Sequence, residues 1–86
     1  MTMGIEQEVR GYILENYLFT DDESVLANSD SFLQKGILDS TGILEVIYFI
    51  EDEYGVKVED EEMIPENLDS VERLVAFVQR KQAANA

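Results

Sequence analysis

Ile5, Val9, Tyr12, Ile13 and Tyr17 recur at steps of three and four residues, the spacing that lines one face of an α-helix. The pattern predicts a first helix from about Gly4 to Leu18. A second recurrence begins after Asp39-Ser40 and runs to Tyr54. Its predicted core arc holds Ile43, Ile47, Ile50 and Tyr54, with Val46 at the edge. Asp39 is suited to cap this helix, since its carboxylate can accept a bond from an unpaired N–H of the first turn. Gly55 is suited to end it, just past the C-terminus. A third recurrence, Val71, Leu74, Val75 and Val78, follows Asp69 and Glu72, which have the spacing of a capping box. Arg80 and Lys81 then fall where the helix dipole favours cations, and Gln82 to Ala86 reads as a frayed tail.

The connection from Thr20 to Leu38 is rich in Asp, Ser and Asn and holds Gly36. Connections beyond ~12–15 residues in compact domains are functional or carry short structure of their own. Phe32 and Leu33 are expected to pin this one to the core through a helical turn. Asp60 to Ile64 allows one further short turn, stopped by Pro65. The chain shows no strand alternation and no repeat. The expected fold is all-α: a small four-helix bundle of three main helices and one short one, with a long first loop. It forms a single domain over residues 4–82, with residues 83–86 as a flexible C-terminal tail.

Composition narrows the function. The 86 residues carry 19 acidic and 6 basic side chains, no His and no Cys, for a formal charge of −13. A hydrophobic fraction of 45% is ordinary for a folded chain, so this charge does not force disorder. It leaves no basic footprint for a nucleic acid, and an anionic membrane surface would repel it. The absence of His and Cys removes Ser–His and Cys–His catalysis and the Cys/His zinc sites. The longest apolar run, Val46 to Ile50, is far below the ~20 residues of a membrane span. Met1 to Glu8 is neither basic nor apolar, unlike a secretory signal. The expectation is a cytoplasmic, monomeric, non-enzymatic domain with no catalytic residues, no metal site and basic partners. Twelve acids and one base lie between Asp39 and Glu72, which makes that segment the expected working surface.

Asp-Ser occurs three times, at Asp30-Ser31, Asp39-Ser40 and Asp69-Ser70, and helix capping accounts for any copy. Only Ser40 is preceded by Gly36-Ile37-Leu38 and followed by an apolar helix. On that helix Leu44 and Tyr48 point away from the core arc, on the side shared with Thr41, Glu45 and Asp52. Two readings stand: the pair is what a small bundle leaves half-exposed, or it is a partner surface ringed by carboxylates. The acids from Glu51 to Glu53 and Glu59 to Glu62 read by default as a solvated face. Met63 reads as core filling, with the mouth of the bundle as the other option.

Gly36-Ile37-Leu38-Asp39-Ser40-Thr41, then Leu44-Glu45-Val46-Ile47, Glu51 to Tyr54, and Ile64 to Val71 carry a resemblance to acyl carrier proteins and their relatives. It covers nearly the whole chain in order and spacing, including the long first loop. The resemblance implies that Ser40 bears a phosphopantetheine arm, attached by a phosphopantetheinyl transferase. It implies that Asp39 helps present that serine, and that the arm's thiol holds cargo as a thioester. It also implies that acids of the second helix, Glu45 first among them, meet basic patches on loading and client enzymes. Thr41-Gly42 departs from the Leu-Asp that usually follows the serine in fatty-acid-synthesis carriers. The chain therefore looks closer to specialised acyl or aminoacyl carriers of lipid or secondary metabolite biosynthesis. The alternative is an acidic helical interaction module without a prosthetic group.

Overall fold

Four α-helices and no strand occur among residues 4–84, the part of the chain that the computed structural model describes. The fold is all-α. Helix α1 spans Ile5–Ile13 and buries Val9 and Ile13, with Glu6 and Glu8 in its first turn, where the dipole favours acids. The winding then widens to a π-helix over Leu14–Leu18, so the predicted single helix is two segments of different pitch. Phe19 ends it in a left-handed conformation (φ 54°), its N–H donating to the Leu14 carbonyl. Helix α2 spans Ser40–Tyr54, helix α3 Pro65–Leu68 and helix α4 Val71–Ala84. Short 3₁₀ turns lie at Glu23–Val25 and Asp60–Glu62.

Helix α2 starts and stops where expected. Asp39 Oδ1 accepts from the Gly42 N–H at 2.8 Å, and Gly55 takes φ 65°. Its buried face is turned slightly from the predicted arc: Val46, Ile47 and Ile50 are buried, whereas Ile43 and Tyr54 are partly covered. Three other expectations are corrected. Pro65 does not close a helix but opens α3: Ile64 is extended (φ −124°, ψ 153°), as a residue before proline prefers, and the missing proline N–H costs nothing at the first helical position. The cap of α4 is Ser70, whose Oγ accepts from the Arg73 N–H at 3.1 Å, and not Asp69. Helix α4 also continues through Ala84, into the expected tail; Asn85 and Ala86 lie outside the described residues.

Asp69 instead holds the long loop. Its carboxylate accepts from the Ser31 hydroxyl and, at 3.0 Å, from the Leu33 N–H, while its carbonyl accepts from the Phe32 N–H at 2.9 Å. The loop turns helically at Ser31–Lys35 and Gly36 exits it at φ 69°. Phe32 is the anchor, fully buried with Leu26 and Leu38. Leu33, expected beside it in the core, is exposed, because one residue on from Phe32 it faces the other side of the turn. A second tether runs from the Glu72 N–H to the Asn28 carbonyl at 3.0 Å, and Arg10 holds the Asn28 side chain from α1 at 2.7 Å.

Two tyrosines tie α1 and its extension to α2. The Tyr17 hydroxyl donates to Glu45 and the Tyr54 hydroxyl donates to Glu8 at 2.7 Å. Partial burial, and then these carboxylate bonds, hold both hydroxyls above the ordinary tyrosine value of 10.0. Below about pH 10 both states keep their protons and the contribution is complete. Above it the unfolded chain loses tyrosine protons that the folded chain retains, so stability falls as pH rises. Urea midpoints measured from about pH 9 to pH 11.5 are expected to fall more steeply for the wild type than for the Tyr17→Phe/Tyr54→Phe variant. Parallel curves would contradict the two bonds.

Candidate functional site

The three Asp-Ser copies are structurally unlike one another. Ser31 is partly buried and its hydroxyl is committed to Asp69. Ser70 is 4% exposed and caps α4. Ser40 alone is exposed, at the first position of the fifteen-residue helix α2. Asp39 takes the Gly42 N–H, so the N–H groups of Ser40 and Thr41 have no intrahelical partner. The first turn of α2 contains no acid. An anion attached to the Ser40 oxygen would meet open N–H groups and the positive end of the helix dipole.

Gly42 lets the loop approach this turn. A Cβ there would lie 3.2 Å from Leu38 Cδ2 and 3.3 Å from Leu38 Cβ, both tighter than ordinary contact. Gly42 is thus a packing solution: it seats the buried Leu38 against the helix start and fixes the approach to Asp39-Ser40.

An apolar groove of about 340 Å³ adjoins Ser40 between α2 and the Met63–Asp69 segment. Ile43, Leu44 and Ile47 form one wall, Met63, Ile64, Pro65 and Leu68 the other, and Leu33 reaches its edge. Among the described residues, four of the seven exposed large hydrophobics, Leu33, Leu44, Met63 and Ile64, are gathered here, so their exposure is not scatter. Met63 therefore lines the mouth of the bundle and does not fill the core. Leu33 and Ile64 were missed as site residues by sequence reading, and Met63 was read first as core with the mouth as the other option, because helical periodicity says which face is apolar but not which apolar residues border a gap. Asp69 lines the same groove.

Thr41, Leu44, Glu45, Tyr48 and Asp52 are all exposed on α2, as expected of a partner face, yet they border different features. Leu44 belongs to the apolar groove, whereas Glu45, Tyr48 and Asp52 line a hollow on the α1 side. Thr41 and Glu45 also line a third depression beside Ser40, with Tyr17 and residues 36–39. Glu45 is held by Tyr17 and Glu51 accepts from the Val58 N–H at 3.0 Å, so neither is a freely swinging acid. Among the described residues no helix is long and apolar enough to cross a membrane, and no group of three or more carboxylates is placed to hold a metal ion. No protein-family model matches the chain, and no curated protein matches it significantly.

Proposed function

We propose that this chain is a carrier protein of the acyl-carrier type, a cytoplasmic monomer modified with phosphopantetheine on Ser40. The observation that carries the reading is the singular position of Ser40: of three Asp-Ser serines, only this one is exposed, at a helix N-terminus and beside an apolar groove. Three long helices, one short helix and a long, anchored first loop agree with the bundle that the resemblance implies.

Each residue then has a defined part. Ser40 supplies the attachment oxygen and needs a transferase, because the chain contains no His and no Lys within four residues to activate it. Asp39 keeps the helix start in register by its bond to the Gly42 N–H. The first-turn N–H groups of α2 stabilise the phosphodiester charge. When bound, the group supplies the thiol that this Cys-free chain lacks, and with it thioester chemistry. The groove walls of Ile43, Leu44, Ile47, Met63 and Ile64 shield an apolar cargo from water. Acids along α2, with −11 net over residues 39–72, steer loading and client enzymes with basic patches to this end of the molecule.

Incubation with coenzyme A and a promiscuous phosphopantetheinyl transferase is expected to add the mass of one phosphopantetheine per chain. An unchanged mass would overturn the carrier reading and leave an acidic helical interaction module.

A further inference from the structure

The groove beside Ser40 is apolar along both walls, and only two polar side chains line it: Ser40 at the start of α2 and Asp69 at the end of α3. Asp69 is partly buried, and each of its carboxylate oxygens accepts one bond from a neutral donor, the Ser31 hydroxyl or the Leu33 N–H. A carboxylate has about four lone-pair sites, so acceptor capacity is left over. So is the charge. Among the described residues the ion pairs are Arg10–Glu23, Lys35–Asp30 and Lys81–Glu62, and Arg73, four residues on, donates to the Pro65 carbonyl at 3.2 Å. Holding a hydroxyl and an N–H requires acceptors but not an ionised group. The groove therefore combines apolar walls with one fixed anion that no ion pair neutralises.

We infer that the groove receives an aminoacyl group with an apolar side chain, its ammonium on Asp69. A plain hydrocarbon acyl chain would strip water from the carboxylate and return no hydrogen bond, and an acyl group ending in its own carboxylate would be repelled. An ammonium forms a charge-assisted bond to Asp69, while the apolar side chain covers Ile43, Leu44, Ile47 and Met63. The two loop bonds fix the carboxylate beforehand, so little order is lost on binding. The inference names the cargo class of the carrier reading and rests on it for attachment at Ser40. The test supplies that attachment chemically.

The chain contains no Cys, so Ser40→Cys offers a single thiol at the attachment position. Cysteamine amides of leucine, isocaproic acid and glycine would compete for it by disulfide exchange in a thiol buffer, with intact mass reading the captured fraction. The first two differ only in the ammonium, and glycine carries the ammonium without the side chain. At about pH 6.5 the amine is charged, and ~0.15 M salt screens acids beyond ~8 Å. The leucine amide is expected to be captured about three- to tenfold more than either of the others. It should also shift the amide resonance of Leu33, whose N–H is bonded to Asp69, and the isocaproic amide should not. Asp69→Asn should erase the preference for leucine over isocaproic amide, and Glu45→Gln should keep it. Should Asp69→Asn fail to fold, the Leu33 shift decides. Equal capture, an unmoved Leu33 resonance, or a preference that survives Asp69→Asn or is lost in Glu45→Gln would each overturn the inference. Absence of the preference in a chain that a transferase modifies on Ser40 refutes this inference alone. A chain that no transferase modifies but that shows the preference refutes only the carrier reading.

Discussion

Asp69→Ala is expected to lower the unfolding free energy by about 2–3 kcal/mol, because two hydrogen bonds to one carboxylate are lost together. For a domain of this size the melting temperature should fall by about 10–20 °C. The bonds join residues 36 and 38 positions apart and hold the helical turn of the long loop against the α3–α4 corner. Asp69→Asn keeps one acceptor oxygen and should lose less. The location of the damage matters as much as its size. Amide exchange should accelerate at Phe32 and Leu33, in the loop, before it does so at Arg73 and Leu74 in α4. A loss of only a few tenths of a kcal/mol, or exchange rising first in α4, would mean that Asp69 is an ordinary helix-end residue.

Phe32→Ala should be costlier still, at about 3–5 kcal/mol, since a fully buried aromatic ring is removed and a cavity is left. Against a typical total of ~5–15 kcal/mol, this brings the fold close to its limit. The ring is the loop's apolar anchor, and its backbone carbonyl accepts from Ile37 at 2.9 Å and Leu38 at 3.2 Å. Leu38 in turn seats against Gly42, so the damage should reach the start of α2 and slow modification of Ser40. Urea titration of Phe32→Ala beside Leu33→Ala checks the assignment: the exposed Leu33 should cost less than ~1 kcal/mol, although it is the adjacent residue. Similar losses for the two variants would show that Phe32 is not the anchor. Because the Asp69 carboxylate holds Ser31 and Leu33, the residues on either side of Phe32, the Asp69→Ala and Phe32→Ala effects should not add.

Features governed by local chemistry were the legible ones. Asp39 and Gly55 bound α2 in the sequence as in the structure, because a cap and a left-handed residue act within a few positions of themselves. Leu44 and Tyr48 were legible as outward-facing because a fifteen-residue helix keeps its phase. Non-local features were not. Ser70 and Asp69 are adjacent and both can cap; what decides between them is that Asp69 is taken by a loop 36–38 residues upstream. Pro65 can stop a helix or open one, and the choice depends on whether the following residues find room to wind. The π-helical pitch of Leu14–Leu18 leaves no mark on apolar spacing, yet it accompanies the approach of Tyr17 to Glu45. The aromatic pair Tyr12–Phe49 joins two helices, and nothing in either helix alone announces the other.

Site-resolved mass spectrometry after incubation with coenzyme A and a phosphopantetheinyl transferase puts the functional reading to its hardest test. The predicted result is one phosphopantetheine, on Ser40, with Ser31 and Ser70 untouched, and no mass gain in Ser40→Ala. A group found on another serine, or a gain that survives Ser40→Ala, would contradict it.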